Sequence, residues 1–122
     1  MKTTIYLVDD DASVREIFRI ILNNAGYEVK MFESGKDLFE NAVEIPDLFI
    51  LDQRLPDMDG LEICRGLKGN KKTQHIPVII VSATPDLELD VKEVCADEYL
   101  KKPLTKKDLL TTVANSIGIN SL

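Results

Sequence analysis

The chain has 122 residues, enough for one domain that buries a proper core without disulfides or a structural metal. An apolar fraction of 44% and a charged fraction of 30% are those of an ordinary globular protein, and a formal net charge of −6 argues against direct nucleic-acid binding, which needs Lys and Arg patches. No apolar run approaches the roughly 18 residues of a membrane span and no secretory leader pattern precedes the first strand, so the expectation is a cytoplasmic single domain covering residues 1–122.

Taken in chain order, residues 3–8 read as a strand, and residues 12–25 carry Val14, Ile17, Phe18, Ile21, Leu22 and Ala25 in the stripe of an amphipathic helix. Asp11 is placed to cap its start and Gly26 to close its end. Tyr27 to Phe32 form a second strand. Ser34 and Asp37 resemble a capping box that opens a short helix through Leu38, Phe39, Ala42 and Val43. The unbroken apolar run Leu48 to Leu51 fits a strand buried on both faces.

Pro56 and Gly60 shape the next loop, a helix runs from about Leu61 to Leu67, and Lys68 to Gln74 read as a solvated loop. Val78 to Val81 is the fourth strand, and Thr84-Pro85 opens a helix over about 86–94. Glu98 to Leu100 is the fifth strand. Thr105 with Asp108 caps a last helix carrying Leu109, Leu110, Val113, Ala114 and Ile117. Strict β-α alternation predicts an α/β fold, a doubly wound (βα)5 parallel sheet with helices on both faces. Cys64 and Cys95 share no metal-ligand spacing with each other or with His75, the single histidine, so they read as reduced, packed cysteines and His75 as a solvated loop residue.

Polar residues gather at the ends of the apolar strands. Asp9, Asp10 and Asp11 follow the first, Asp52 the third, Ser82 the fourth, and Lys102-Pro103 the fifth. In such a sheet the ligand site lies beyond the carboxyl ends of the strands. Carboxylates about 4 Å apart repel by roughly 4 kcal/mol per pair at an effective dielectric of 20, and a hard cation is the natural compensation. Mg²⁺ takes a few carboxylates together with water and phosphate oxygens, so the site calls for both Mg²⁺ and a phosphoryl group. Asp52 is the nucleophile candidate, Ser82 offers a hydroxyl to a phosphate oxygen, and the Lys102 ammonium can pair with Asp52 or with phosphate. Alternation along the strand favours Lys102 over Lys101, and Pro103 is where a cis peptide would re-aim the lysine.

Leu7-Val8-Asp9-Asp10, Leu51-Asp52 with Leu55-Pro56-Asp57-Met58-Asp59-Gly60, Val81-Ser82-Ala83 and Asp97-Glu98-Tyr99-Leu100-Lys101-Lys102-Pro103 together resemble the receiver domain of two-component response regulators, along essentially the whole chain. The resemblance implies the flavodoxin-like strand order 2-1-3-4-5. It implies Asp52 as phospho-acceptor, served by a phosphohistidine on a sensor histidine kinase or histidine phosphotransfer protein. Mg²⁺ would be held by Asp9, Asp10, Asp52 and the backbone carbonyl of Arg54. Ser82 would bond the phosphoryl group, Lys102 would pair with it, and Tyr99 would turn inward as Ser82 moves. The surface of the fourth helix, fifth strand and fifth helix would then change, controlling a downstream protein or a C-terminal output domain outside this chain.

The chain departs from the family pattern in places. The stretch between Ser82 and Lys102 is slightly short, Val94-Cys95-Ala96 stands where a Gly-Ala turn is usual, and the large basic Arg54 sits at the mouth of the site, where it is expected to tune autodephosphorylation. The rival from another class is a Mg²⁺-dependent aspartyl phosphohydrolase resembling the haloacid dehalogenase group. That chemistry wants an acid two residues after the nucleophile, where Arg54 stands. A flavodoxin-like electron carrier is excluded, because the Asp9–Asp11 run would repel a flavin phosphate. Self-catalysed phosphotransfer and autodephosphorylation, with no turnover of an external substrate, is the expected activity.

Overall fold

A computed structural model of the protein describes residues 2–83 and 96–121. Five parallel strands, β1 (Thr4–Val8), β2 (Glu28–Phe32), β3 (Leu48–Asp52), β4 (Val78–Ser82) and β5 (Glu98–Lys101), form one sheet in the order β2-β1-β3-β4-β5. Among the described residues four helices flank it: α1 (Ala12–Asn24), α2 (Gly35–Asn41), α3 (Gly60–Lys68) and a C-terminal helix (Lys106–Ser121). The helix expected over 86–94, its Thr84-Pro85 start and Cys95 lie outside the described residues.

The strands are apolar on both faces because helices cover both. On one face Tyr6, Val8, Phe49, Leu51, Val78 and Ile80 pack with Leu38 of α2 and Leu61, Ile63, Cys64 and Leu67 of α3. On the other, Ile5, Leu7, Leu48, Ile50, Ile79 and Val81 pack with Phe18 and Leu22 of α1 and Leu109 and Val113 of the C-terminal helix. Each such buried side chain is worth about 1.5–3 kcal/mol of transfer free energy. β3 sits at the centre, and its alternate residues divide between the two cores, which explains a strand with no polar alternation. Cys64 is a buried free thiol, and His75 is exposed.

The helix ends follow the local chemistry. The Asp11 carboxylate accepts the N–H groups of Ser13 (2.8 Å) and Val14 (3.2 Å), capping α1. Its far end closes through Gly26 N–H to the Asn23 carbonyl (3.0 Å) and Tyr27 N–H to the Leu22 carbonyl (3.1 Å), with Gly26 at φ 99°. Ser34 Oγ accepts the Asp37 N–H (3.0 Å) while Asp37 accepts the N–H of Glu33 (3.0 Å). Thr105 and Asp108 form the reciprocal pair at the C-terminal helix.

Three expectations change. α2 ends at Asn41, and Val43 is 91% exposed instead of helical. The Tyr6 hydroxyl donates to the Glu44 carbonyl (2.7 Å) and accepts its N–H (3.3 Å), holding this segment extended before Ile45-Pro46, whose proline also disfavours helix. Ile17 is exposed on α1, since Phe18 and Leu22 with Val14 and Ile21 fill the face turned to the sheet. Lys68 belongs to α3 and not to the loop after it: the helix closes at Gly69, whose N–H donates to the Arg65 carbonyl (2.9 Å), and Lys68 Nζ bonds the Ile76 carbonyl (2.9 Å) and Asp97 Oδ2 (2.7 Å).

Candidate functional site

The strand register gathers the polar residues. Val8 pairs with Leu51 and Asp52 with Val81, so Asp9 emerges beside Asp52. Ser82 pairs with Lys101, so Lys102 leaves the sheet next to Ser82, and its N–H donates to the Ser82 carbonyl at 2.8 Å. Four strands far apart in sequence thus end on one patch at the carboxyl edge of the sheet.

Asp9 is 2% exposed and is held on all sides. Its N–H donates to the Phe32 carbonyl (3.1 Å), and its Oδ1 accepts the Asp11 N–H (2.9 Å). Its carbonyl accepts the Arg15 guanidinium (2.6 Å). Asp11 is committed to the α1 cap, which leaves Asp9, Asp10 and Asp52 for the site. Each of these three offers a carboxylate oxygen, all within 4.8 Å of one another. Asp9 is buried, Asp52 partly so and Asp10 exposed, and the acids form a hard-oxygen donor set suited to a divalent cation with water and phosphate oxygens.

Lys102 Nζ stands 3.4 Å from Asp9 Oδ2 and 3.7 Å from Asp52 Oδ1, while Lys101 points to solvent and is exposed. The Lys102–Pro103 peptide bond is cis. Ser82 is buried beside them. Arg54 is exposed, and its backbone N–H bonds the Asp52 carboxylate. Tyr99 is half-buried against the core shared by α2 and α3.

Burial pushes the Asp52 carboxyl up to about 6, with the negative charge of Asp9 and then that of Asp10 adding to the effect; Lys102 and the Arg54 N–H oppose it.

Sequence reasoning did not single out Arg15. It lies in the first turn of α1, and its bond to the Asp9 carbonyl braces the loop that presents two of the acids. Its only sequence signal is a long cation one turn beyond an N-cap, which by itself reads as surface.

Comparison with known proteins agrees with this geometry. The family model of the response regulator receiver domain matches residues 5–114. The chain is 37% identical over 115 residues to the transcriptional regulatory protein GltR of Pseudomonas aeruginosa, covering 90% of this chain and 47% of that protein. It is 34% identical over 117 residues to the DNA-binding response regulator MtrA of Mycobacterium tuberculosis, covering 93% of this chain and 50% of that one. The chain spans about half the length of these curated relatives. Among solved structures it is similar to a response regulator receiver domain protein from Clostridium thermocellum, with a TM-score of 0.84, 32% identity, and coverage of 98% of this chain and 97% of that chain. The phosphohydrolase alternative finds no support, and the side chain two positions after Asp52 is the exposed cation Arg54.

Proposed function

The chain belongs to the response regulator receiver domain family of two-component signalling, and we propose that it is a phospho-switch with Asp52 as acceptor. The observation that carries this is the Lys102 ammonium set 3.4 Å and 3.7 Å from two of three clustered carboxylates at the carboxyl edge of the sheet. Clustered carboxylates that can take a cation, an ammonium and a buried hydroxyl together suit a dianionic phosphoryl group.

The donor is a phosphohistidine on a sensor histidine kinase or histidine phosphotransfer protein. An Asp52 oxygen attacks phosphorus as the P–N bond breaks, and the imidazole nitrogen keeps the electron pair and takes up a proton. Lys102 pairs with the phosphoryl oxygens and the Ser82 hydroxyl donates to another. Asp9, Asp10, Asp52 and the Arg54 carbonyl would hold a divalent cation, Mg²⁺ by its liking for few carboxylates plus phosphate oxygens, which would supply neutralisation of charge on the phosphoryl group. Hydrolysis reverses the state: water attacks phosphorus, and phosphate leaves with Asp52 again a carboxylate. Arg54, exposed at the mouth, tunes that rate.

Readout runs through Tyr99, which turns inward as Ser82 follows the phosphoryl group and alters the surface of the fifth strand and C-terminal helix. Residues 1–122 act as one cytoplasmic receiver domain, and the output is a downstream protein or an output domain outside these residues. Among the described residues no helix is long and apolar enough to cross a membrane.

Incubation with Mg²⁺ and acetyl phosphate, read by intact mass, tests the proposal. One base-labile phosphoryl adduct is expected, absent without Mg²⁺ and in Asp52→Asn. No adduct in the wild type, or an equal adduct in Asp52→Asn, overturns it.

A further inference from the structure

The loop between β3 and α3 is held at both ends. At its base the Gly60 N–H donates to the Gln53 carbonyl at 2.7 Å, and a Cβ at Gly60 would lie 2.3 Å from the Asp52 carbonyl oxygen. Near its tip Asp57 reaches across to α2. Its Oδ1 accepts the Gly35 N–H (3.1 Å) and its Oδ2 the Lys36 N–H (2.7 Å). These are first-turn N–H groups with no partner inside the helix. Ser34 Oγ serves only the next one, Asp37, so Asp57 does not duplicate the helix's own cap.

The neighbouring residue tightens the same junction. Met58 lies over Gly35 so closely that a Cβ there would fall 2.7 Å from Met58 Cγ, 2.8 Å from its Sδ and 3.1 Å from Ile63 Cδ1. Between these two fixed points runs the Arg54 peptide, whose N–H bonds the Asp52 carboxylate. An exposed carboxylate ordered by two charge-assisted bonds to another element is a brace for that loop.

We propose that Asp57 is a positioning residue of the phosphorylation site: by clasping the first turn of α2 it sets the Arg54 peptide against Asp52 and so sets cation affinity. The proposal rests on the acceptor-site reading above. α2, which contributes no ligand, is thereby part of the frame of the site.

The test is Mg²⁺ binding by calorimetry to the full chain, with melting temperature recorded in parallel. Asp57→Ala is expected to weaken Mg²⁺ binding about tenfold, the scale of losing a residue that orients metal ligands. Asp57→Asn, which keeps one acceptor and the side-chain shape, restores part of it. Ser34→Ala removes a cap on the same helix without touching the loop, so it lowers the melting temperature but leaves Mg²⁺ affinity within about twofold. The amide resonance of Arg54 in metal-free protein shifts in Asp57→Ala and not in Ser34→Ala. Equal Mg²⁺ affinity in the wild type, Asp57→Ala and Asp57→Asn overturns the positioning role while leaving the acceptor reading intact. Absence of Mg²⁺ binding by the wild type overturns both.

Discussion

Three consecutive aspartates take three different environments. Asp11 spends its carboxylate on the α1 cap, Asp9 is buried under four partners, and Asp10 stays exposed. Asp52 between them has its carboxyl raised from 3.8 to about 6 by burial and by Asp9. The sign for stability follows from which state holds the proton. Between about pH 4 and 6 the folded domain retains a proton that the unfolded chain has released, so stability falls as pH rises through that window. The shift sets a ceiling of about 3 kcal/mol, and water at the open mouth reduces it to about 1–2 kcal/mol. Asp52→Asn is therefore expected to stabilise the metal-free domain by that amount at pH 7 and by nothing at pH 4, as urea titrations at both pH values would show. Lys102→Met removes the cation facing Asp9, whose side chain is 3% exposed. The metal-free domain should lose about 1–3 kcal/mol at pH 7, and Mg²⁺ should recover part of it. Arg54→Ala is expected to change the half-life of the phosphorylated form without altering the urea midpoint of the unphosphorylated one. An unchanged half-life removes Arg54 from any tuning role.

At the scale of elements, local caps decide where helices begin and where α1 stops, and a distant contact decides where α2 stops. Ser34, Thr105 and Asp11 are legible in sequence because a capping side chain reaches only two or three residues along its own chain. The early end of α2 is not legible, since the Tyr6 hydroxyl that holds Glu44 comes from 38 positions away. Gly60 joins element to site. A methyl group there must push against the Asp52 carbonyl, which is backbone and cannot swing aside. Gly60→Ala should cost about 2 kcal/mol or more and slow phosphorylation by acetyl phosphate, read as urea midpoint and rate of adduct formation. A stable, fast-reacting variant would show that the β3–α3 loop has slack that its bonds do not suggest.

Across the whole molecule, the acids arrive from the ends of β1 and β3, with Ser82 at the end of β4 and Lys102 just beyond β5. A ligand bridging them exists only when the central strands are in register, so its binding energy becomes folding energy. At 100 times its dissociation constant, Mg²⁺ should raise stability by about 2.7 kcal/mol. EDTA should reverse the gain. Asp10→Asn should abolish it while leaving the metal-free fold intact, because Asp10 is exposed and buries no charge. Thermal melts with Mg²⁺ and with EDTA check both statements.

Periodicity, caps and the polar residues closing each apolar run were enough to read the alternation of elements and the identity of Asp9, Asp10, Asp52, Ser82 and Lys102 as one group. Those signals are local, and a strand end is marked where the apolar run stops. What the chain alone left open was decided by register and packing. The sheet pairs Val8 with Leu51 and Ser82 with Lys101, which turns four separate strand ends into one site and brings Lys102, the lysine that strand alternation favours, within reach of it. The same packing leaves Ile17 in water because the sheet has room for only one face of α1, and Val43 is exposed because the Tyr6–Glu44 bonds hold its segment extended beyond the end of α2. Arg15 and Asp57 gain their places through a backbone carbonyl and two helix N–H groups. Main-chain partners beyond the two- or three-residue reach of a helix cap leave no trace in side-chain identity, and only the folded chain brings them within reach.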